Sequence, residues 1–219
     1  MSSGKPIVVV SPHSDDGVLS LGASMARWAR EGAHVTLLTV LALDPESTAP
    51  TRGWDGRAGY ATEGEAARAR RDEDAAAAAL LGVSLRWLPF GSVDFDRHGD
   101  DEAVWSALRP FVEEADVVLV PGSPLAHPDH AWLHDLLRSR VRREKLAYYA
   151  EQPYASRLGS ATPLPVAAVG QRDRVAKWRA VRRYRSQLPL LGMTGSLRRG
   201  PLRLAWTDER IAWLDGGAP

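Results

Sequence analysis

The chain contains no cysteine among its 219 residues, which excludes disulfides and thiolate metal ligands. Any metal it holds must therefore sit among histidines and carboxylates, and the redox state of its compartment is left open. An excess of charge is missing as well: 28 Lys and Arg offset 27 Asp and Glu, leaving a net charge of +1. That balance gives no case for a nucleic-acid or membrane partner and makes a small molecule the default client. No apolar run approaches the roughly 18 residues of a membrane span, and no basic stretch followed by an apolar core stands at the N-terminus. The expected location is the cytoplasm. Finally, no G-x-G-x-x-G follows the first predicted strand, and the carboxylates found there would repel a pyrophosphate, which argues against a dinucleotide enzyme.

What is present is ordinary globular material, 44% hydrophobic and 25% charged, enough for one good core and read as a single domain over 1–219. Strands are predicted at Ile7–Val10, His34–Ala42, Leu85–Leu88, Val117–Val120 and Leu146–Tyr149. Helices are predicted at Val18–Arg30, Glu65–Leu81 (closed by Gly82), Glu102–Glu114 and Ala131–Arg142. Strands that alternate with helices and read as continuous apolar runs imply an α/β, Rossmann-like, mostly parallel sheet covered by helices on both faces. Ligands of such sheets bind outside the carboxyl ends of the strands. Two long loops rich in Pro, Gly, Thr and Arg, Leu43–Gly64 and Glu151–Pro165, are expected to shape that edge. There is no internal repeat. Seven of the eight tryptophans (Trp28, Trp87, Trp105, Trp132, Trp178, Trp206 and Trp213) are expected in the core, with Trp54 alone in a loop near the site.

Three of the six histidines fall directly after predicted strands: His13 in PHSDD, and His127 and His130 in HPDH. A catalytic divalent site uses three His or carboxylate ligands and keeps a position open for water. His13, Asp16 and His130 can supply that set, leaving Asp15 outside it as a base. Alternatively, the paired aspartates are N-caps of the following helix, favoured by its dipole. Placement of both loops at one edge of one sheet favours the site. His34, His98 and His134 lack such company and read as surface or partly buried. The segment 172–185, with seven basic residues and one acidic, reads as a helix burying Val175, Trp178 and Val181 beneath a solvated basic face. A second function class, a metal-free Rossmann-like binding or interaction protein, predicts no zinc and no hydrolysis.

The motifs resemble those of the LmbE-like, or PIG-L, zinc-dependent N-deacetylases. PHSDD is similar to the family's HPDDE or HxDDA, and HPDH to its second motif. Arg70-Arg71-Asp72-Glu73-Asp74 resembles its RxxED helix, Tyr148–Tyr154 its YYExxPY stretch, and Tyr184–Gln187 its YxSQ, so the likeness spans nearly the whole chain. The resemblance implies zinc, or another divalent ion such as Fe2+, on His13, Asp16 and His130, with Asp15 as general base. It further implies His127 as acid or electrostatic partner and Asp129 as the group that orients an imidazole. The implied reaction is hydrolysis of an N-acyl group, usually acetyl, from an amino sugar or natural-product amide, with the metal polarising the carbonyl. Motif form is closest to the branch found with secondary-metabolite pathways. The chain departs from the pattern at Ser14 (often Pro), Gly17 (often Glu) and Leu125, where some relatives carry an oxyanion-assisting Tyr. Candidate substrate contacts are Arg52, Trp54 and Tyr60 in the first long loop, which also holds Asp55 and Arg57 and reads equally as a solvated loop, and Asp94 with Asp96 and Arg97 beyond the third strand, where a charged turn is the simpler reading.

Overall fold

β1 (Pro6–Ser11) is a buried run whose side chains alternate between two cores: Ile7 and Val9 enter one, Val8 and Val10 the other. The computed structural model describes residues 4–92, 100–158, 164–192 and 199–214. It places β1 at the middle of a six-stranded sheet with β2 (His34–Thr39), β3 (Ser84–Trp87), β4 (Val117–Ser123), β5 (Leu146–Ala150) and β6 (Ile211–Trp213), in the order β3-β2-β1-β4-β5-β6. Ile7 is in register with Val35 of β2 and Val117 of β4; only β6 runs antiparallel.

One face carries α1 (Asp16–Arg30), α3 (Glu63–Leu81) and α7 (Gln171–Val181), which contribute Trp28, Leu81 and Val181 to the first core. The other carries α4 (Asp101–Glu114) and α5 (Pro128–Arg140), which contribute Leu108 and Leu133 to the second. The α/β architecture with helices on both faces is thus as the periodicity implies. Among the described residues, no helix is long and apolar enough to cross a membrane.

Boundaries differ where local chemistry outweighs periodicity. α3 begins at Glu63 because Thr62 and Glu65 form a capping box, with Thr62 Oγ1 accepting from Glu65 N at 3.2 Å. α5 begins at Pro128, three residues early, because proline suits the first helical position and His127 caps it. The loop 43–64 contains the short helix α2 (Gly53–Arg57), and α6 (Tyr154–Leu158) interrupts the second long loop; five residues are too few for a readable period. α8 (Arg199–Trp206) and β6 are the last elements among the described residues.

Two expectations about side chains are corrected. Trp206 is 45% exposed, and Trp87, Trp105, Trp132, Trp178 and Trp213 are only half-buried, since large indoles cover core edges more often than they fill cores. On α7, Lys177 is fully buried rather than solvated. Its Nζ donates to Glu209 at 2.8 Å, and Glu209 accepts from Ala23 N and Ser24 N at 2.8 and 2.7 Å. Those amides are available because α1 is broken at Leu21 (φ −126°, ψ 15°), so the carboxylate caps the second half of the helix that begins at the site.

Candidate active site

The strand order reverses between β1 and β4, and the crevice outside that reversal is where open α/β sheets bind ligands. Three strand ends deliver polar residues there: β1 is followed by His13–Asp16, β4 by His127–His130 and β5 by Glu151. Ser11 fixes the first turn, donating from Oγ to His13 O at 2.6 Å and accepting from Gly17 N at 2.9 Å. Gly17 is closely packed: a Cβ there would lie 2.6 Å from Leu37 Cδ1, so a larger residue would need the Leu37 side chain to shift. Asp15 takes a left-handed backbone (φ 97°), a conformation costly for a residue with a Cβ and held by its surroundings.

The helix-cap alternative fails on geometry. Asp15, at the N-cap, makes no side-chain capping bond, while Asp16 Oδ2 turns back to accept from His13 N at 3.0 Å. That same oxygen lies 3.1 Å from His13 Nδ1 and 3.1 Å from His130 Nε2, and the two ring nitrogens are 3.3 Å apart. Ligands about 2.0–2.2 Å from a tetrahedral cation are separated by about 3.3–3.6 Å, so this triangle, with sides of 3.1–3.3 Å, needs to open only slightly to take a divalent metal. The far side of each ring is also held by a carboxylate: His13 Nε2 by Asp129 Oδ2 at 2.8 Å, and His130 Nδ1 by Glu151 Oε1. Carboxylates behind imidazoles are the arrangement that fixes the tautomer of metal-binding histidines. The donor set fits a divalent cation.

The rings of His13, His127 and His130 form a near-equilateral group with centroids 5.2–5.3 Å apart, and one nitrogen from each lies within 4.8 Å of the others. A three-histidine site is therefore also within reach. However, His127 Nδ1 already accepts from Asp129 N at 3.2 Å as the α5 cap, so its neutral form carries the proton on Nε2.

Burial and charge separate the acidic neighbours. Burial, reinforced by the Asp16 charge, pushes the Asp15 carboxyl well above its usual range. Burial would raise Asp16 too, but His130 and His13 hold it below the ordinary carboxylate range. For His130, burial is outweighed by Asp16 and Glu151, which push it up to about 10. His127 is lowered by burial and by the neighbouring imidazoles.

His13, Asp15, Asp16 and His127 open into a cavity of about 340 Å³ whose wall includes Trp54, Asp55, Arg70, Tyr154 and Gln187. Of the expected substrate contacts, Trp54 is in this wall. Arg52 and Tyr60 flank α2 outside the lining; Asp94, with Asp96, Arg97 and His98, lies outside the described residues. Arg70 of α3 pairs with Asp55 of α2 and so holds α2 at the rim. Glu151, Tyr154, Gln187 and Arg70 sit in motif stretches, but nothing in their spacing reveals that they converge on the first two loops.

The PIG-L family model (GlcNAc-PI de-N-acetylase) matches residues 8–141, from β1 through α5 and thus across both histidine loops. The chain belongs to the PIG-L family. A 1D-myo-inositol 2-acetamido-2-deoxy-alpha-D-glucopyranoside deacetylase of Streptomyces griseus is 30% identical over 203 residues, covering 84% of this chain and 60% of that protein. The chain thus spans about three fifths of that relative's length. Among solved structures, a triple mutant of a deacetylase involved in the teicoplanin biosynthetic pathway superposes with a TM-score of 0.77 at 27% identity, over 97% of this chain and all of that one. The zinc-inhibited form of a teicoplanin deacetylase gives 0.71 at 25% identity, covering 96% and 99%.

Proposed function

We propose that this PIG-L protein is a metal-dependent hydrolase that removes an N-acyl group, acetyl in the first instance, from an amino sugar or a glycosylated secondary-metabolite intermediate. The carrying observation is the convergence of His13, Asp16 and His130 on one small volume, each imidazole backed by a buried carboxylate. In this reading those three residues would hold zinc, and the chemistry it would supply there is polarisation of the acyl carbonyl and a more acidic water. Asp15, in the cavity wall beside them, takes the proton from the attacking water. His127, with its Nδ1 occupied by the α5 amide, presents its Nε2 proton to the departing amine. Asp129 keeps His13 in one tautomer and Glu151 does the same for His130. A cavity of about 340 Å³ is at the small end for ligand sites and suits one sugar ring with its acyl group. The six strands share one sheet, which supports reading the chain as one catalytic unit.

The test is metal analysis and acetate release from an N-acetylglucosaminide for wild type, Asp16→Ala and Asp15→Asn. A relative is known in a zinc-inhibited form, so zinc is supplied at one equivalent and in excess, and Fe2+ in parallel. About one metal per chain, lost in Asp16→Ala and retained in an Asp15→Asn variant slowed about 10²–10⁴-fold, separates ligand from base. A wild type that takes up no divalent ion sinks the hydrolase reading.

A further inference from the structure

The RxxED-like and YxSQ-like stretches lie 110 residues apart, yet the structure joins them in one hydrogen-bonded chain that ends in the cavity wall. Ser186 N and Oγ both donate to Glu73, at 2.8 and 2.7 Å. Gln187 Nε2 donates to Ser186 Oγ at 2.7 Å, and Gln187 Oε1 accepts from Trp54 Nε1 at 2.7 Å. The direction of every link is fixed by chemistry. An indole N–H can only donate, so the amide oxygen of Gln187 must face it; the amide nitrogen then faces Ser186, whose hydroxyl proton goes to the carboxylate. Gln187 is 4% exposed, so its amide sits where an unmade bond is costly, while Trp54, Ser186 and Glu73 are half-buried.

Trp54 thereby becomes a residue of one orientation. Its single polar atom is consumed by Gln187, leaving only ring surface for a ligand, and the Arg57 guanidinium lies over one face of that ring, 5.3 Å from its centroid. α2 is tied to α3 twice, through Asp55 to Arg70 and through this chain to Glu73. We infer that Glu73, Ser186 and Gln187 are positioning residues that hold the Trp54 indole as the apolar wall against which a pyranose ring of the substrate stacks, so that they set selection for a ring-bearing N-acyl amine. The inference rests on the deacetylase reading for the identity of the reaction, and its ligand class is a sugar ring with an apolar face.

Ser186 is the informative position because it is not in the cavity wall and cannot touch the sugar. In full-length protein labelled at the indole nitrogens, the Trp54 signal is identified by its loss in Trp54→Phe. The protein is titrated with glucosamine, the product amine, which is not consumed. Ser186→Ala should move the Trp54 signal and weaken glucosamine binding about tenfold, the scale of one aromatic contact. Ser186→Thr, which keeps the hydroxyl, should restore it. In turnover, Ser186→Ala should raise KM for an N-acetylglucosaminide by a similar factor while kcat changes far less. Wild-type affinity in Ser186→Ala, or a Trp54 signal that glucosamine leaves unmoved, overturns the inference. Binding through Trp54 without acetate release would instead overturn the deacetylase reading and leave these positioning roles standing.

Discussion

Glu151 offers a demanding test of the metal site proposed above. It is 2% exposed; one oxygen holds His130 Nδ1 and the other accepts from Leu125 N at 2.8 Å, so both oxygens must be acceptors. Glu151→Gln preserves shape but provides one acceptor and one donor. If the amide oxygen stays on His130, its NH2 opposes Leu125 N–H, donor against donor. If it turns to Leu125, the NH2 donates to His130 Nδ1 and forces the proton onto Nε2, the atom that faces Asp16 at 3.1 Å and would have to ligate the metal. Either outcome costs, and the second is direct competition between a proton and the cation. Loss of a carboxylate behind a metal-binding histidine costs about 10–100-fold in metal affinity, or roughly 1.4–2.7 kcal/mol. The assay is competition with a chelator of known zinc affinity, with circular dichroism verifying the fold. An affinity within threefold of wild type would refute the argument that Glu151 sets the His130 tautomer.

Two further outcomes test the surrounding framework. Lys177→Met leaves Glu209 buried with only the Ala23 and Ser24 amides as partners, and should destabilise by about 3 kcal/mol, or roughly 6–12 °C in Tm; a loss under about 1 kcal/mol would show that the amides alone satisfy the carboxylate. Alkaline stability should be governed by Tyr184 and Tyr149, whose phenols are pushed well above their usual value by burial and then by nearby carboxylates. The unfolded chain ionises these groups near pH 10 and the folded one only higher, so the unfolded state binds fewer protons there and stability falls as pH rises through 10. Absorbance at 295 nm should show Tyr149 and Tyr184 ionising late, together with unfolding; their ionisation near pH 10 in a still-folded protein would contradict this.

The parts of the molecule that were legible are those whose signal is local. Ile7–Val10 and Val117–Val120 read as strands because both of their faces are buried, and PHSDD and HPDH read as a site because each follows such a strand. What was not legible depends on contacts across the chain. Nothing in the vicinity of Glu151 reveals that it will face His130, and Lys177 follows helical spacing that a solvated face would equally satisfy until Glu209 is brought to it by β6. The same holds for Asp74, which is fully buried yet sits in a run of charged residues that reads as a solvent face. Its partners, Tyr184 Oη at 2.8 Å and Trp87 Nε1 at 2.9 Å, come from elements that periodicity leaves unrelated.

The charge distribution explains why so much polar apparatus stands at one sheet edge. Asp15, Asp16, Asp129 and Glu151 are each at least nine-tenths buried, and a carboxylate so placed must be neutralised by a proton, a cation or hydrogen-bond donors. Of the two guanidiniums in the same cavity wall, Arg70 is already engaged with Asp55 and Arg57 lies over the Trp54 ring. Three histidines are the remaining balance, but a protonated imidazole cannot also ligate, and His13 and His130 approach each other to 3.3 Å, a distance that opposes charging both. Protonation and metal binding are therefore alternative ways of balancing one cluster. A divalent cation held there would supply two charges at the point where Asp16, His13 and His130 converge, and would let both rings remain neutral with their far N–H groups directed at Asp129 and Glu151. Metal affinity should then fall steeply as acid protonates the rings, because each proton gained removes a ligand as well as the need for one.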